Sequence, residues 1–397
     1  RGSTDEQTVP LPDMGDVQYE VNYDTINTLM EGFLETRASD RIAVYNALLK
    51  LQTKYTDTEF LIEHNDTLTR AILTSVRRGS TDEQIAALLL FCRLACVGYE
   101  GAEEIWQDLR PMADKVVRTA HPPVKGKSND TLVDDMVVIW SLHALVCGSV
   151  FVDEDPSTME TLQAELLLRV IHPHSTLPHP VVPSALAALS LLAVLGPIDM
   201  ETGDLKRLRT LASSTNREVS LGAAEYAAAI ALAEDMPVSS NVKDMFPDTI
   251  YDLTEDVSRR KHTQYRKSLE NIANELSGFD FEPEEVVLPT TYEDLVLDTR
   301  DTAVRYHYVC RILGATAVVQ VEGNDYIRSF LELPDANPLC HKPSDGSAGK
   351  TGWQAARARD AQRKERRDEG QRLEKSRNTK RDKDRSSKQR LSMGYDD

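Results

Sequence analysis

The feature that most constrains the fold is an almost unbroken succession of helical patterns between residues 22 and 235. Apolar residues recur there at helical spacing, in segments of about ten to twenty residues joined by short polar or Pro/Gly breaks. The segments form consecutive pairs: 24–36 with 40–54, 58–77 with 80–97, 101–118 with 129–149, 157–171 with 182–195, and 204–213 with 216–234. Successive pairs begin about 35 to 50 residues apart, near the period of armadillo and HEAT repeats. The sequence therefore predicts an all-α, armadillo/HEAT-like α-solenoid.

The same patterns predict how the helices pack. The segment after Ser80 opens with a capping-box pattern, formed by Ser80 and Glu83. Its apolar side chains recur on one face and must meet another helix: Ile85, Leu88, Leu89, Cys92 and Cys96. Segments 132–149 and 182–195 are apolar nearly all round, so we expect them to form a buried inner layer. The alanine-rich segment 220–232 permits close packing between layers.

The pattern of predicted elements changes after Met236. A stretch containing Pro and Asp leads to a charged helix at about 257–276, an acidic loop, a helix over 302–313, a short strand over 317–321 and a short helix over 326–333. The predicted domains are an N-terminal arm (1–21), the helical repeat domain (22–235), a charged helix with an acidic connector (236–290), a small C-terminal module (291–335), a linker (336–352) and a basic tail (353–397).

The basic tail follows an acidic body. Residues 350–390 contain sixteen Lys or Arg against seven Asp or Glu, a net charge of +9, whereas residues 1–349 carry about −25. Because large apolar residues are almost absent, the tail builds no core, and we expect it to be extended or helical. Cations at this density can meet successive phosphates of RNA, and Trp353 can stack on an unpaired base. The predicted RNA-binding residues are Lys350, Trp353, Arg357, Arg359, Arg363, Lys364, Arg366, Arg367, Arg372, Lys375, Arg377, Lys380, Arg381, Lys383, Arg385, Lys388 and Arg390.

Two other interpretations of the tail stay open. Its basic clusters also fit a nuclear-localisation signal. Its interspersed acidic residues, such as Asp360, Glu365 and Glu369, allow ion pairs at i, i+4, which are typical of a solvated charged helix.

The cysteines indicate a reducing compartment. Their number is odd, and they are scattered: Cys92, Cys96, Cys147, Cys310 and Cys340. Most lie within apolar helical patterns, which suits reduced thiols in a cytosolic or nuclear protein. We find no run of about eighteen apolar residues and no signal-peptide pattern, so we expect a soluble protein outside the secretory route.

Several short segments resemble binding or catalytic sites but lack residues that such sites require. Ser344–Gly352 resembles a phosphate-binding loop, but Ser344 stands where that loop needs Gly, and no strand precedes it. Three histidines, His172, His174 and His179, lie between prolines without a Cys or carboxylate to complete a metal set, which favours a surface loop. His143, between Leu and Ala, is interpreted as a core histidine. No catalytic constellation stands out, so we expect no enzymatic activity, no metal and no cofactor.

Two segments carry a family resemblance. Segment 83–106 holds Glu83, Gln84, Gly98, Glu103, Glu104 and Ile105, and segment 306–333 holds Leu313, Gly314, Asn324, Arg328 and Leu331. Together with Lys380-Arg381-Asp382-Lys383 in the tail, they resemble the interferon-related developmental regulator family. Gln320 stands where we expect His in that family, and Gly323 where we expect Glu.

The resemblance implies an armadillo-like helical protein without enzymatic activity. It implies binding to translationally inactive ribosomes through rRNA and ribosomal proteins, with the basic C-terminal end in the tRNA and mRNA path. The alternative that it implies is a nuclear scaffold that recruits chromatin-modifying co-repressor proteins. We expect a cytoplasmic location for the first role and a nuclear one for the second, with neither a membrane nor a small-molecule substrate as partner.

Overall fold

The computed structural model describes residues 23–52, 58–122, 133–171, 177–196, 200–232, 237–256, 263–288 and 294–333. The chain divides into two compact units, Arg1–Cys340 and His341–Asp397, and every described residue belongs to the first. The finer domain boundaries drawn from the sequence stay predictions.

The helices predicted between residues 22 and 235 are confirmed within a few residues at most of their ends. In the described residues of this region they are α1 (Tyr23–Glu31), α2 (Ala38–Leu51), α3 (Asn65–Arg78), α4 (Thr81–Cys96), α5 (Ala102–Thr119), α6 (Asp135–Gly148), α7 (Pro156–Ile171), α8 (Val182–Leu195), α9 (Thr202–Ala212) and α10 (Arg217–Ala231). A 3-10 turn, Glu59–His64, forms the start of the segment predicted as one helix over 58–77. The predicted pairs are in contact: α1 with α2, α3 with α4, α5 with α6, α7 with α8, and α9 with α10.

The chain after residue 236 contains more regular structure than the sequence suggested. Its described elements are α11 (Pro237–Met245), α12 (Pro247–Asp256), α13 (Thr263–Leu276), β1 (Glu284–Val287), β2 (Asp294–Leu297), α14 (Arg300–Leu313), α15 (Ala317–Gly323) and α16 (Asp325–Phe330). Helices α11 and α12 were not predicted as helices. Each begins at a proline. Proline is favourable at the first helical position, because the N–H that it lacks would have no acceptor within the helix there.

The strand predicted over 317–321 is wrong, because these residues form α15. Their β-branched composition favours a strand, but Ala317 and Val321 lie four residues apart on one buried helical face. Gln320, also buried, shares that face and donates from Nε2 to the carbonyl oxygen of Gln52 at 2.8 Å. Packing against the body therefore overrides the local propensity.

The acidic loop predicted after α13 contains a strand instead. Strands β1 and β2 form an antiparallel hairpin, with Glu284 opposite Leu297 and Val287 opposite Asp294. Leu295 and Leu297 are buried, whereas Val296 between them is exposed. Each strand has only four residues, and the exposed Val296 is as apolar as its buried neighbours, so no alternation of polar and apolar residues marks these strands in the sequence.

Helices α4, α6, α8 and α10 form a central layer, in which each contacts the next. The partners α3, α5, α7 and α9 pack against them. Helices α6 and α8 are buried on nearly all sides, which confirms the predicted inner layer. Helix α10 lies against α8, where an added Cβ at Gly222 would be 3.2 Å from Cβ of Leu186. The small side chains of α10 thus allow the close packing predicted for them.

The helix predicted over 129–149 begins later than predicted and, with the π-helical turn that follows α6, also ends later. With the π-helical turn that follows it, it spans Asp135–Asp153, which is long and apolar enough to cross a membrane by length and composition. The sequence interpretation did not recognise this apolar run, because the helix that it placed at 129–149 begins among polar residues. In the folded body 72% of the most apolar window is buried, and α4, α5 and α8 pack against the helix. Its apolar surface is therefore accounted for by the protein core.

Candidate functional site

Residues Arg300–Leu333, termed here the C-terminal block, pack directly on the helical repeats. Helix α14 contacts α4, α8 and α10 of the central layer. Helix α8 is apolar nearly all round and must be covered on every side, and α14 supplies part of that cover. The block is thus a third layer of the body.

Three side chains of the C-terminal block cap successive repeat helices. Gln320 Nε2 donates to the carbonyl of Gln52, the C-cap residue directly after α2, at 2.8 Å. Asn324 Nδ2 donates to the carbonyl of Val97, the C-cap residue directly after α4, at 3.0 Å. The last carbonyls of a helix lack intrahelical donors, so these amides satisfy groups that would otherwise be unpaired. The third cap is provided by Tyr326, whose hydroxyl donates to the carbonyl of Phe151, in the π-helical turn after α6, at 2.8 Å.

Gly98 explains how α4 can end so close to the block. Its φ is +76°, in the left-handed region that favours glycine. The N–H of Tyr99 donates to the carbonyl of Leu94 at 3.0 Å, which completes the turn after the helix. An added Cβ at Gly98 would lie 2.6 Å from Cγ of Tyr326. Gly98 therefore provides both the backbone conformation and the space that the Tyr326 ring occupies.

A buried polar pair joins α14 to the central layer. Tyr308 on α14 and His143 on α6 are each 2% exposed, and the Tyr308 hydroxyl lies 3.0 Å from His143 Nδ1. Burial lowers the pKa of His143 to about 3 and raises that of Tyr308. Both side chains are therefore neutral at pH 7, and the pair is a structural contact, as the core interpretation of His143 expected.

Charged contacts hold the rest of the block. Arg300 donates through Nε and Nη2 to Glu275 Oε2 of α13, at 2.9 and 2.7 Å, and its guanidinium lies over the Phe281 ring. His307 Nε2 lies 2.9 Å from Glu284 Oε2 of β1. Hydrogen bonding to His307 lowers the pKa of Glu284, and the same contact raises that of His307 against the opposing effect of burial. These pairs connect the hairpin and α13 to α14.

The block limits where partners can bind. Because α14 lies across α4, α8 and α10, this face of the central layer is occupied by the chain itself. An extended peptide lying along these helices, as in an open solenoid groove, would have to displace contacts that are buried and hydrogen-bonded. In the described body, this face of α4, α8 and α10 is therefore not an open groove.

The structure leaves the predicted RNA-binding residues untested. All seventeen, from Lys350 to Arg390, lie outside the described residues, as do the loop Ser344–Gly352 and the histidines at 172 and 174. His179 is exposed. Within the ranges that the structure describes, no group of three or more His, Cys, Asp or Glu residues is arranged to hold a metal ion.

The described cysteines are free thiols inside the body. Cys92, Cys96 and Cys147 are buried, and Cys310 is half-buried. Burial raises the pKa of Cys96, Cys147 and Cys310, which keeps these thiols protonated. Protonated, buried thiols are poor nucleophiles, so these side chains are core residues.

Sequence reasoning missed the capping roles of Gln320 and Tyr326. Gln320 and Asn324 lie four positions apart, so a helix places them on the same side. This spacing was the signal in the sequence that the two amides could act together. Recognising it required α15 to be helical, whereas it was predicted to be a strand.

Comparison with known families identifies the helical body. The sequence model of the family described as Interferon-related developmental regulator matches residues 3–277, more than half of the chain. The chain belongs to this family. The match covers α1 to α13 and ends before the hairpin and the C-terminal block. A search of curated proteins gave no match. The description of this family names regulation.

Proposed function

We propose that this interferon-related developmental regulator binds ribosomes that are not translating and inhibits translation by occlusion. The helical body docks on ribosomal protein and RNA surfaces, and the basic tail occupies the phosphate-lined path of tRNA and mRNA. The observation that carries this proposal is the reversal of charge, from about −25 over residues 1–349 to +9 over residues 350–390. Such a tail is attracted by RNA, whereas the acidic body is repelled by bulk rRNA and docks selectively.

The fold supports a passive mode of inhibition. Among the described residues, no group of three or more His, Cys, Asp or Glu is placed to hold a metal ion. His143, whose pKa is lowered to about 3, is neutral and buried in the core. The C-terminal block fills one face of the central layer through side chains that cap α2, α4 and α6. Such a body is a stable platform, and exclusion of other ligands by a bound tail needs no chemical step.

A sucrose gradient tests the proposal. Full-length protein is expected to co-sediment with 80S particles at near-physiological salt, and a version that ends before Gly349 is expected to remain at the top. A variant in which Arg363, Lys364, Arg366 and Arg367 are replaced by Glu is expected to lose binding, because each cation that meets a phosphate contributes to counterion release.

A matched variant controls for net charge. Replacing Arg70, Arg77, Arg78 and Lys206, which are exposed on α3 and α9, by Glu changes the net charge by the same amount. We expect this variant to keep most of its binding. Ribosome binding that survives reversal of the four tail cations would contradict the proposed role of the tail.

The alternative function is a nuclear scaffold for transcriptional co-regulation, with the tail as an import signal. Its support is the basic cluster Lys380-Arg381-Asp382-Lys383. Fractionation distinguishes the two functions: endogenous protein in the monosome peak favours ribosome binding, and endogenous protein retained with chromatin favours the scaffold.

A further inference from the structure

The turn between α3 and α4 exposes a serine hydroxyl. Helix α3 ends at Arg78 and α4 begins at Thr81, so only Gly79 and Ser80 join them. Both linking residues are extended, with φ and ψ of −70° and 165° at Gly79 and of −62° and 164° at Ser80. Ser80 is exposed, and its oxygen accepts one long hydrogen bond, from the N–H of Glu83 at 3.4 Å. In the described part of the chain this hydroxyl donates to no acceptor, so it is available from solvent.

Two arginines precede this serine and are free to bind a partner. Arg77 and Arg78 stand three and two positions before Ser80, in the last turn of α3, and both are exposed. Among the residues that the structure describes, neither guanidinium has a hydrogen-bond or ion-pair partner. Protein kinases that prefer basic substrates bind arginines at these two positions through acidic pockets. The segment Arg77–Ser80 therefore has the charge pattern of such a substrate.

The structure decides between two classes of kinase that the sequence alone allows. Kinases that prefer acidic substrates bind a carboxylate three positions after the serine, which here is Glu83. Glu83 is 1% exposed, and its carboxylate accepts from Arg41 Nε and Nη2 and from Ser75 Oγ. This carboxylate is not available to an enzyme, whereas the two arginines before the serine are. The exposed charges therefore favour a kinase that recognises basic residues.

Another serine with a basic residue before it lacks these properties. Ser268 follows Arg266 by two positions, but it lies inside α13, where its hydroxyl donates to the carbonyl of Gln264 at 3.1 Å. The guanidinium of Arg266 is occupied, since its Nε donates to Glu270 Oε1 at 2.7 Å. A kinase binds its substrate as an extended chain, a conformation that the α3/α4 turn has and that the interior of a helix lacks. Extended backbone, an available hydroxyl and unpaired arginines coincide at Ser80 and not at Ser268.

We propose that Ser80 is a phosphorylation site for a protein kinase that recognises basic residues. In the reaction Ser80 Oγ attacks the γ-phosphorus of ATP, an Oγ–P bond forms, and the bond between this phosphorus and the bridging oxygen breaks. The hydroxyl proton passes to the catalytic base of the kinase, and ADP leaves.

The modification would reverse the charge of the turn. The exposed charges around Ser80 belong to Arg77, Arg78 and Asp82 and sum to +1. A phosphoserine carries about −2 at pH 7, so the phosphorylated turn would carry about −1. The proposal goes beyond the function given above, because it concerns the α3/α4 turn and holds whether or not the tail binds RNA.

Phosphorylation of the folded, full-length protein tests the site. The probes are the catalytic subunit of cAMP-dependent protein kinase, which prefers basic substrates, and a casein kinase that requires acidic residues, each with ATP and Mg²⁺. Mass spectrometry of the digested protein locates the phosphate and measures its rate of incorporation. We expect Ser80 to be modified by the first kinase roughly tenfold or more faster than by the second, because a mismatch of charge disfavours the wrong partner.

Matched substitutions test the recognition. Replacement of Arg77 and Arg78 by Ala is expected to slow modification of Ser80 by the first kinase roughly tenfold or more, because both charged contacts are lost. Arg70→Ala, at an exposed position of the same helix, is expected to leave the rate unchanged. Circular dichroism verifies that the variants fold. Absence of phosphate on Ser80, or an unchanged rate in the double variant, would overturn the proposal. Modification of Ser268 in the folded protein as fast as that of Ser80 would also overturn it, since exposure would then not select the site.

Discussion

The hydroxyl of Tyr308 lies 3.0 Å from Nδ1 of His143, although the two residues are 165 positions apart in the sequence. Both are buried, and their rings also meet edge to face, with centroids 5.6 Å apart. Tyr308 lies on α14 and His143 on α6, so the contact joins the C-terminal block to the centre of the repeats. It is one of several contacts that make residues beyond the family match part of the core.

The pair predicts a loss of stability in mild acid. The pKa of His143 is lowered to about 3 by burial, whereas an unfolded histidine titrates near 6.5. The unfolded state therefore binds more protons between these values, and stability falls as the pH decreases below about 6.5. From pH 7 to pH 5 this histidine is expected to contribute a loss of about 2 kcal/mol. In the variant His143→Gln that contribution disappears.

Urea unfolding at pH 7 and pH 5 measures this effect. The exposed His179 provides the control, because His179→Gln is expected to keep the wild-type pH dependence. The burial argument is contradicted if His143→Gln loses as much stability on acidification as the wild-type protein.

Gly98→Ala is expected to destabilise the fold. Alanine at φ +76° costs about 1–2 kcal/mol, and its Cβ would lie 2.6 Å from Cγ of Tyr326, which adds a steric term. We expect a total loss of about 2–4 kcal/mol in the free energy of unfolding. Gly203→Ala is the matched control, since an added Cβ there meets nothing within 4 Å and the residue lies in α9. That control is expected to be neutral or stabilising by up to about 1 kcal/mol, and equal effects at the two positions would disprove the argument.

Glu83→Gln is expected to weaken the first repeats. Glu83 is 1% exposed and accepts hydrogen bonds from Arg41 Nε and Nη2 at 2.8 and 2.9 Å and from Ser75 Oγ at 2.7 Å. The hydrogen bond from Arg41 is the largest cause of the lowered pKa of this carboxyl, so its stabilisation is present at neutral pH and is lost as the pH falls. Thermal unfolding at pH 7 is expected to show a loss of about 2–4 kcal/mol. Glu103→Gln, at an exposed first-turn position of α5, is expected to change stability little; a comparable loss there would remove the special role of Glu83.

Truncation separates the block from the tail. Removal of residues 341–397 deletes one compact unit and is expected to leave the thermal midpoint of the body unchanged. Removal of residues 300–397 uncovers apolar surface on α4, α8 and α10 and leaves the carbonyls of Gln52 and Val97 without their side-chain donors. We expect this shorter protein to have a lower midpoint and to bind an apolar dye. Identical unfolding of the two truncated proteins would show that the block contributes nothing to the core.

Part of the local chemistry followed from the sequence, and part did not. The Ser80 pattern correctly predicted the start of α4, where Ser80 Oγ accepts from the N–H of Glu83 at 3.4 Å. The pattern did not predict that the Glu83 side chain binds Arg41, which is 42 residues away. A local motif specifies backbone groups within one turn, whereas the partner of a buried carboxylate depends on which helix packs above it.

By itself the sequence determined the repeat helices, their pairing, and the buried character of α6 and α8. These properties follow from the period and width of apolar patterns, which are local to each segment. The tertiary structure alone decided that residues 317–323 are helical and that Gln320, Asn324 and Tyr326 cap α2, α4 and α6. Gln320 reaches Gln52 across 268 positions and Asn324 reaches Val97 across 227, so no sequence window contains both partners. Contacts at such separation form only when the repeats have assembled a surface for them.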